Sequence, residues 1–414
     1  MPGFSYRLAR SGRRSTGSWR CSRGRGAFTS DRMETIYWLC LALALASCGY
    51  VLFAADCVRR FGARLHRESR SSSAAPPITV FKPLCGPDVE LLENLRTFCR
   101  QDYPEYQIVF GVRDPADPAI AVARQIISEF PALDLDLVID PTVHGTNLKI
   151  SNLINMYHRA KHNVLVIADS DMRVGPDYLR RLCNALNKEG AGMVTCLYLG
   201  DPLSGLPSAL GALFINEWFL PSVLVATRFV PNSYCFGATM AIPRSVLEEV
   251  GGLGAFADYL ADDYMLGRKV LATGRRVDIA PVLVENRLLE PAWRDLIAHE
   301  LRWARTIRTV QPAGFAASFL TDALPLACLC LLFAWLNDSG MGFAIAAAGF
   351  ALIARSLLHL SVNKTFNRRA AMWLIPLRDL LTFLIRAGSF LGGDVEWRRQ
   401  SLHVDNGSRL SMKD

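Results

Sequence analysis

Twenty consecutive positions, residues 36–55, carry no charged side chain. At 1.5 Å per residue this run matches the roughly 30 Å hydrocarbon thickness of a bilayer and predicts an uncleaved transmembrane helix near the N-terminus. Three further apolar stretches close the chain, at 315–336, 341–360 and 372–391. The last contains Arg378, Asp379 and Arg386, each costly at mid-bilayer, so a re-entrant or interfacial helix is a fair alternative to a span there. Between the apolar ends the period changes. Short β-rich runs at 78–81, 107–112, 135–139, 164–168 and 192–198 alternate with helical patterns. Continuous apolar strands separated by helices predict a mainly parallel α/β sheet covered on both faces. In such sheets ligands gather at the carboxyl ends of the strands, which directs attention to the residues just after each run.

The predicted organisation is an Arg-rich leader at 1–32, a transmembrane helix within 33–58, an α/β unit at 77–314, two or three membrane helices at 315–391 and a tail at 392–414. The chain has 414 residues, 51% of them hydrophobic, which excludes whole-chain disorder and a small disulfide scaffold. A formal net charge of +8 suggests nucleic acid, but residues 1–32 hold eight Arg and one acid. Removing these from the totals of 46 basic and 38 acidic residues leaves 38 against 37, so the rest is neutral and no nucleic-acid partner is expected. Eleven scattered Cys without paired C-x-x-C sets read as free thiols in a reducing compartment. Lys364, Arg368 and Arg369 in the 361–370 loop, against Asp338 alone in the 337–340 loop, put the former loop and the α/β unit in the cytosol. Residue 35 would then lie outside, against the basic leader, a conflict that disappears if Met33 is the start.

Four groups of residues carry candidate chemistry. Asp169-Ser170-Asp171 directly follows the 164–168 strand, where two carboxylates one residue apart can hold a hard divalent ion against a diphosphate. The triplet alone would more often be a solvated turn; its place after a buried strand is what singles it out. Asp114 follows the 107–112 strand in a Pro-rich segment and reads either as a turn former or as a contact to a nucleotide's base or ribose. Asp262 and Asp263 open a helix to about Thr273, where one acid would serve as a cap and two exceed that need. His299, Arg302 and Trp303 lie one turn apart on a helix at 293–309, either as a ligand-facing group or as an interfacial Trp and its neighbours. No G-x-G-x-x-G or Walker A loop follows the first strand, which removes the main support for dinucleotide oxidoreductases and ATPases.

In chain order, Lys82-Pro83-Leu84-Cys85-Gly86, Asp114, the run Lys149-Ile150-Ser151-Asn152-Leu153, Asp169-x-Asp171, Asp262-Asp263-Tyr264 and Arg302-Trp303 resemble the inverting glycosyltransferases of families 2 and 21. The likeness is nearest to the ceramide glucosyltransferases and the bacterial hopanoid-biosynthesis glycosyltransferases, and it runs from residue 36 to the 397–399 tail. It implies a GT-A type α/β fold, with Asp114 on the uridine, Lys149 nearby and Asp169 at the ribose or metal. It also implies Asp171 as ligand of Mg²⁺ or Mn²⁺ and Asp263 as catalytic base, with Asp262 beside it. His299, Arg302 and Trp303 would face acceptor and diphosphate; His299 departs from the Gln or Arg usual at its place.

The expected reaction is transfer of glucose or N-acetylglucosamine from a UDP-sugar to a hydroxyl of a membrane lipid by one inverting displacement. The intact Asp171 tilts the expected acceptor toward a hopanoid polyol and the setting toward a bacterial inner membrane, with ceramide as the alternative. The apolar stretch 206–226, with Asn216 and Glu217 in its middle, is a candidate membrane contact. A processive polysaccharide synthase would need more spans, and a non-catalytic adaptor would not need the acids.

Overall fold

In a computed structural model, the strands β1 (Ile78–Leu84), β2 (Tyr106–Val112), β3 (Asp134–Ile139), β4 (Val164–Ala168), β5 (Met172–Arg173), β6 (Ala191–Pro202), β7 (Thr239–Pro243) and β8 (Arg276–Leu288) form one sheet. Its order is β3-β2-β1-β4-β7-β6-β8-β5. The structure describes residues 23–67, 75–86, 88, 90–230, 235–338, 340–391, 394–397, 400–404 and 410–412. Most of the expected leader, residues 1–22, lies outside them.

Strands β3, β2, β1 and β4 run parallel, as do β6 and β8, while β7 is antiparallel to both its neighbours and β5 is antiparallel to β8. Every position of β1 and β2 is buried, as mostly apolar strands covered on both faces require, and Thr79, Lys82 and Gln107 are buried with them. The cover comes from α2 (Leu91–Cys99), α3 (Ala119–Glu129), α4 (Leu148–Tyr157), α5 (Tyr178–Leu186), α8 (Arg244–Glu249) and α9 (Asp262–Ala272). Strand β8 was not anticipated, because Pro281 and several charges interrupt its apolar pattern. The register moves from Thr195 opposite Ile279 to Leu197 opposite Leu283, so residues 280–282 form a bulge and Pro281 sits where no ladder donor is needed.

Among the described residues three segments are long and apolar enough to cross a bilayer: Arg32–Arg67 within α1 (Arg23–Arg67), Gly205–Phe229, and α13 (Met341–Phe366). The second comprises α6 (Gly205–Phe214), a π-helical turn (Ile215–Phe219) and α7 (Leu220–Phe229). A fourth arises if the bent pair Pro312–Thr321 and Ala323–Leu336, which holds α11 (Pro312–Ala317) and α12 (Ala323–Leu336) at a 68° break, counts as one span. The 372–391 stretch resolves into a short 3₁₀ turn and α14 (Ile375–Gly388), whose 14 residues reach only about 21 Å and cannot span. Its charges point inward. Arg378 pairs both ends of its guanidinium with Glu300 of α10 (Trp293–Val310) at 2.7 Å, Asp379 meets Arg355, and Arg386 meets Asp322.

On α13 the buried residues Ala344, Ala347, Ala351, Ala354 and Leu358 repeat every three or four positions, a stripe of mostly small side chains suited to close helix packing. Phe343, Ile345, Leu352, Ile353 and Leu360 face outward. The helices and the sheet share a core: Ala44, Val51 and Val58 of α1 pack in one cluster with Leu197 and Leu199 of β6 and with α7, α12 and α13. All cysteines among the described residues are free.

Candidate active site

The carboxyl ends of β1, β2 and β4 lie along one sheet edge, and three of the sequence-selected segments begin there. After β4 the chain turns through Asp169, Ser170 and Asp171 before entering β5. Asn286 of β8 donates to Asp171 Oδ2 at 2.9 Å, and Ser170 Oγ is hydrogen-bonded to Asp88. Lys82, near the end of β1, is fully buried; its ammonium donates to the Asp169 carbonyl and lies 3.8 Å from the centre of the Phe98 ring.

Asn147 caps α4, its side-chain oxygen accepting the Lys149 and Ile150 N–H groups at 3.0 and 3.1 Å. Its amide nitrogen donates to the Tyr259 carbonyl at 2.8 Å and to Asp262 Oδ1 at 3.2 Å, so one buried residue joins the start of α4 to the start of α9. This aims Lys149 at the acids: Nζ is 2.7 Å from Asp169 and 3.7 Å from Asp262. Asp263 is fixed by two backbone donors, Gly237 N–H to Oδ2 and Tyr264 N–H to Oδ1, both at 2.7 Å. A methyl group placed on Gly237 would stand 3.3 Å from Lys149 Nζ, 3.4 Å from Asp263 Oδ2 and 3.5 Å from Asp169 Oδ2. Three side chains remote in sequence thus surround one point.

The electrostatics follow from burial. Desolvation, then the negative charges of Asp169 and Asp88, push the Asp171 carboxyl up to about 6. Asp263 is likewise pushed up to about 6, by burial first and Asp262 second, with Lys149 and the two N–H donors pulling the other way. Burial brings Lys82 down to about 7 despite the nearby Asp171 and Asp169. For Lys149 burial opposes the charge, but Asp169 and Asp262 more than reverse it and its pKa rises. The Tyr198 phenol is raised by burial and then by Asp263, Asp171 and Asp169, while Arg302 acts in the opposite sense.

His299 and Trp303 stand on α10, with the imidazole 4.3 Å edge-on to the indole and Nδ1 2.8 Å from the buried Glu290. Trp303 stacks at 5.8 Å on Phe214 of α6, inside the protein. Asp114 is exposed beyond β2, its carboxylate accepting the Ala116 N–H at 2.9 Å; the loop is tied to the end of β1 by Gly86 N–H donating to Asp117. Sequence reasoning named Lys82 only within the motif that ends β1, without a role, and did not select Asn147, Tyr198, Gly237, Asn286 or Glu290. Only Asn147 left a local signal, a capping residue before an apolar-periodic helix.

Among the described residues no three His, Cys, Asp or Glu side chains are grouped to cage a metal by themselves. The donor set suits a small hard cation bound through one or two carboxylates and completed by phosphate and water oxygens. Asp171, crowded by Asp169 and Asp88, is where added positive charge would relieve repulsion.

A mixed sheet with this acidic edge is a GT-A-like glycosyltransferase fold. The mannosyltransferase PcManGT from Pyrobaculum calidifontis, solved in complex with GDP-Man and Mn2+, aligns with a TM-score of 0.51 and 19% identity over 85% of this chain and 99% of that one. Over residues 39–410 the sequence matches glycosyl transferase family 21, and the chain belongs to that family. Ceramide glucosyltransferase 1 of Caenorhabditis elegans is 26% identical over 243 residues, 58% of this chain and 52% of that protein. Ceramide glucosyltransferase 3 of the same organism is 22% identical over 361 residues, 84% of this chain and 77% of that protein. The chain thus spans about half of the first relative and about three quarters of the second.

Proposed function

We propose that the protein transfers a hexose from a UDP-sugar to a hydroxyl group of a membrane lipid, with inversion at the anomeric carbon. The observation that carries this reading is the convergence of Lys149, Asp169 and Asp263 on one point beside Gly237. Asp263, held by two N–H groups and poised at about 6, is ionised at neutral pH and takes the acceptor hydroxyl proton. The freed oxygen bonds to the anomeric carbon as the bond to the diphosphate oxygen breaks, and UDP leaves with the electron pair. Asp171, with Asp169 nearby, would hold Mg²⁺ or Mn²⁺, which supplies positive charge to the leaving diphosphate. Arg302 adds positive charge, and Asp114 and Lys149 bind the nucleotide.

Ceramide is the first acceptor to test and glucose the first sugar, since the relatives are ceramide glucosyltransferases. A hopanoid polyol is the second reading, favoured by the intact Asp171, and N-acetylglucosamine the second sugar. The catalytic edge belongs on the cytosolic side. Arg368, just past the end of α13, pairs with Glu285 of β8 at 2.5 Å and with Asp201 of β6 at 3.2 Å, so the basic end of that helix lies against the sheet.

The test is incubation of purified protein with UDP-glucose or UDP-N-acetylglucosamine and ceramide or a hopanoid polyol, followed by lipid mass analysis. One hexose added to a lipid, lost in Asp263→Asn and Asp263→Ala, is expected. Polymer formation would indicate a polysaccharide synthase, and UDP release unaltered by both variants would refute the assigned base.

A further inference from the structure

Little regular structure holds the turn at Asp169, Ser170 and Asp171. Strand β5, which follows at once, is two residues long and pairs only Met172 with Asn286 and Arg173 with Glu285. The Arg287 N–H meets the Asp171 carbonyl only at 3.4 Å. A line of ion pairs makes up the difference. Arg287 and Asp201 stand opposite one another near the ends of β8 and β6 and are ion-paired. Arg287 Nε also donates to Glu90 at 2.7 Å, and Arg173 donates to the same Glu90 oxygen at 3.1 Å. Glu90 thereby ties β5 and β8 to the loop after β1, which supplies Asp88 to Ser170. Its backbone is left-handed, φ 55, a conformation uncommon for a residue with a side chain and kept where the surroundings fix it.

The line continues to the membrane helices. Asp201 Oδ1 is 3.2 Å from Arg368 Nη1, and Arg368 Nη2 donates to Glu285 at 2.5 Å. Arg368 is placed by the end of α13, where Asn367 adopts a left-handed backbone, φ 52, and the Arg368 N–H returns to the Asn363 carbonyl at 2.9 Å. A lone exposed ion pair stabilises little, but here Arg287 and Arg368 each bridge two acids with side chains only 16% and 18% exposed. Planar guanidinium groups held at two points fix geometry as well as charge. Arg173, Arg287 and Arg368 balance Glu90, Asp201 and Glu285, so the line brings no net charge to the site. What it sets is where Asp171 stands.

We propose that Glu90, Asp201 and Arg287 are positioning residues for the turn that carries Asp171, and that Arg368 fastens this turn to the end of α13, a helix long and apolar enough to cross a bilayer. This rests on the reading of Asp171 as a ligand of Mg²⁺ or Mn²⁺.

The test uses the full chain in nanodiscs and reads Mn²⁺ binding in the presence of UDP from the paramagnetic resonance of the free ion. Uridine affinity is the control, and amide hydrogen exchange at residues 169–173 is a second readout. Asp201→Ala, Arg287→Gln and Arg368→Ala are each expected to weaken Mn²⁺ binding by about tenfold or more, as for groups that orient a metal ligand, and to leave uridine affinity within about twofold. Exchange at 169–173 should quicken in all three while that of β2 stays as it is. Arg368→Lys, which keeps a cation for one of the two acids, should lose less than Arg368→Ala. Unchanged Mn²⁺ affinity in Asp201→Ala and Arg287→Gln would overturn the proposal, as would an equal loss of uridine affinity, which marks a merely structural role. A loss in those two variants but not in Arg368→Ala would overturn the tie to α13. If the wild type binds no Mn²⁺ with UDP, the metal reading itself fails; quickened exchange at 169–173 in the variants would still support the positioning role, and unchanged exchange would refute it.

Discussion

Replacing Lys149 by Met would remove the cation set among Asp169, Asp262 and Asp263 and should move the pH at which catalysis switches on. Lys149 Nζ and Asp263 Oδ2 lie 3.3 and 3.4 Å from the same point, so they are no more than about 7 Å apart. At an effective dielectric constant of about 20, unit charges at that distance attract by about 2 kcal/mol. At about 1.4 kcal/mol per pH unit, this is a shift of between roughly one and two units. The base acts ionised, and losing a neighbouring cation disfavours the ionised form, so the acid limb of kcat/KM should rise from about 6 to roughly 7 to 8. At neutral pH protonation alone should reduce activity by about twofold at the lower end of that shift and about tenfold at the upper end, and the loss should recover as the pH approaches roughly 9. Weaker donor binding would lower the plateau without moving the limb. Initial rates of UDP release, followed at saturating metal across this range, measure both. An acid limb at the wild-type pH would refute the assignment of Asp263 as the base tuned by Lys149.

Three further substitutions probe other parts of the site and its support. Asp171→Asn should cut metal-supported turnover by about a hundredfold or more. With metal chelated, it should stabilise the fold: Asp171 is raised from 3.8 to about 6, so its charge is without cost below about pH 4 and costs up to about 3 kcal/mol above pH 6. Denaturant melts at about pH 4 and about pH 8 would test this, and a pH-independent difference would contradict the like-charge account. Asn147→Ala should cost about 1–3 kcal/mol, since it removes the cap of α4 and leaves Asp262 short of a donor, again read by denaturant melts. Glu300→Ala should cost about 3–5 kcal/mol by stranding Arg378, whereas joint replacement of Glu300 and Arg378 by Met should restore thermal stability close to the wild type.

What the sequence revealed and concealed follows from the range of each interaction. Strands β1, β2 and β4 are buried on both faces and therefore written mostly in apolar residues, with Thr79, Lys82 and Gln107 as buried exceptions. Strand β8 carries equally buried positions, but its bulge admits Pro281 and its outward positions admit charge, so the local pattern loses its period. The acids Asp169, Asp171 and Asp263 stood out because a carboxylate pair directly after a buried strand, and a second acid at a helix start, exceed what a turn or a cap requires. Their partners did not. Asn286 and Gly237 acquire meaning only when β8 and the loop before β7 close on the acids, a contact between residues more than twenty-five positions apart. Arg378, Asp379 and Arg386 looked like obstacles to a membrane helix because the sequence shows their cost and not the carboxylates and guanidinium that meet them across the bundle.

The cluster in which Ala44, Val51 and Val58 meet Leu197 and Leu199 has a bearing on how the molecule is made. The apolar helix nearest the N-terminus is a wall of the enzyme as well as a tether. Freed of it, β6 would present bare aliphatic side chains to water, so a fragment limited to 77–314 should aggregate. During synthesis the sheet emerges after the helix that covers it, because α1 precedes every strand. Completion of the catalytic half is thereby tied to a helix long and apolar enough to cross a bilayer.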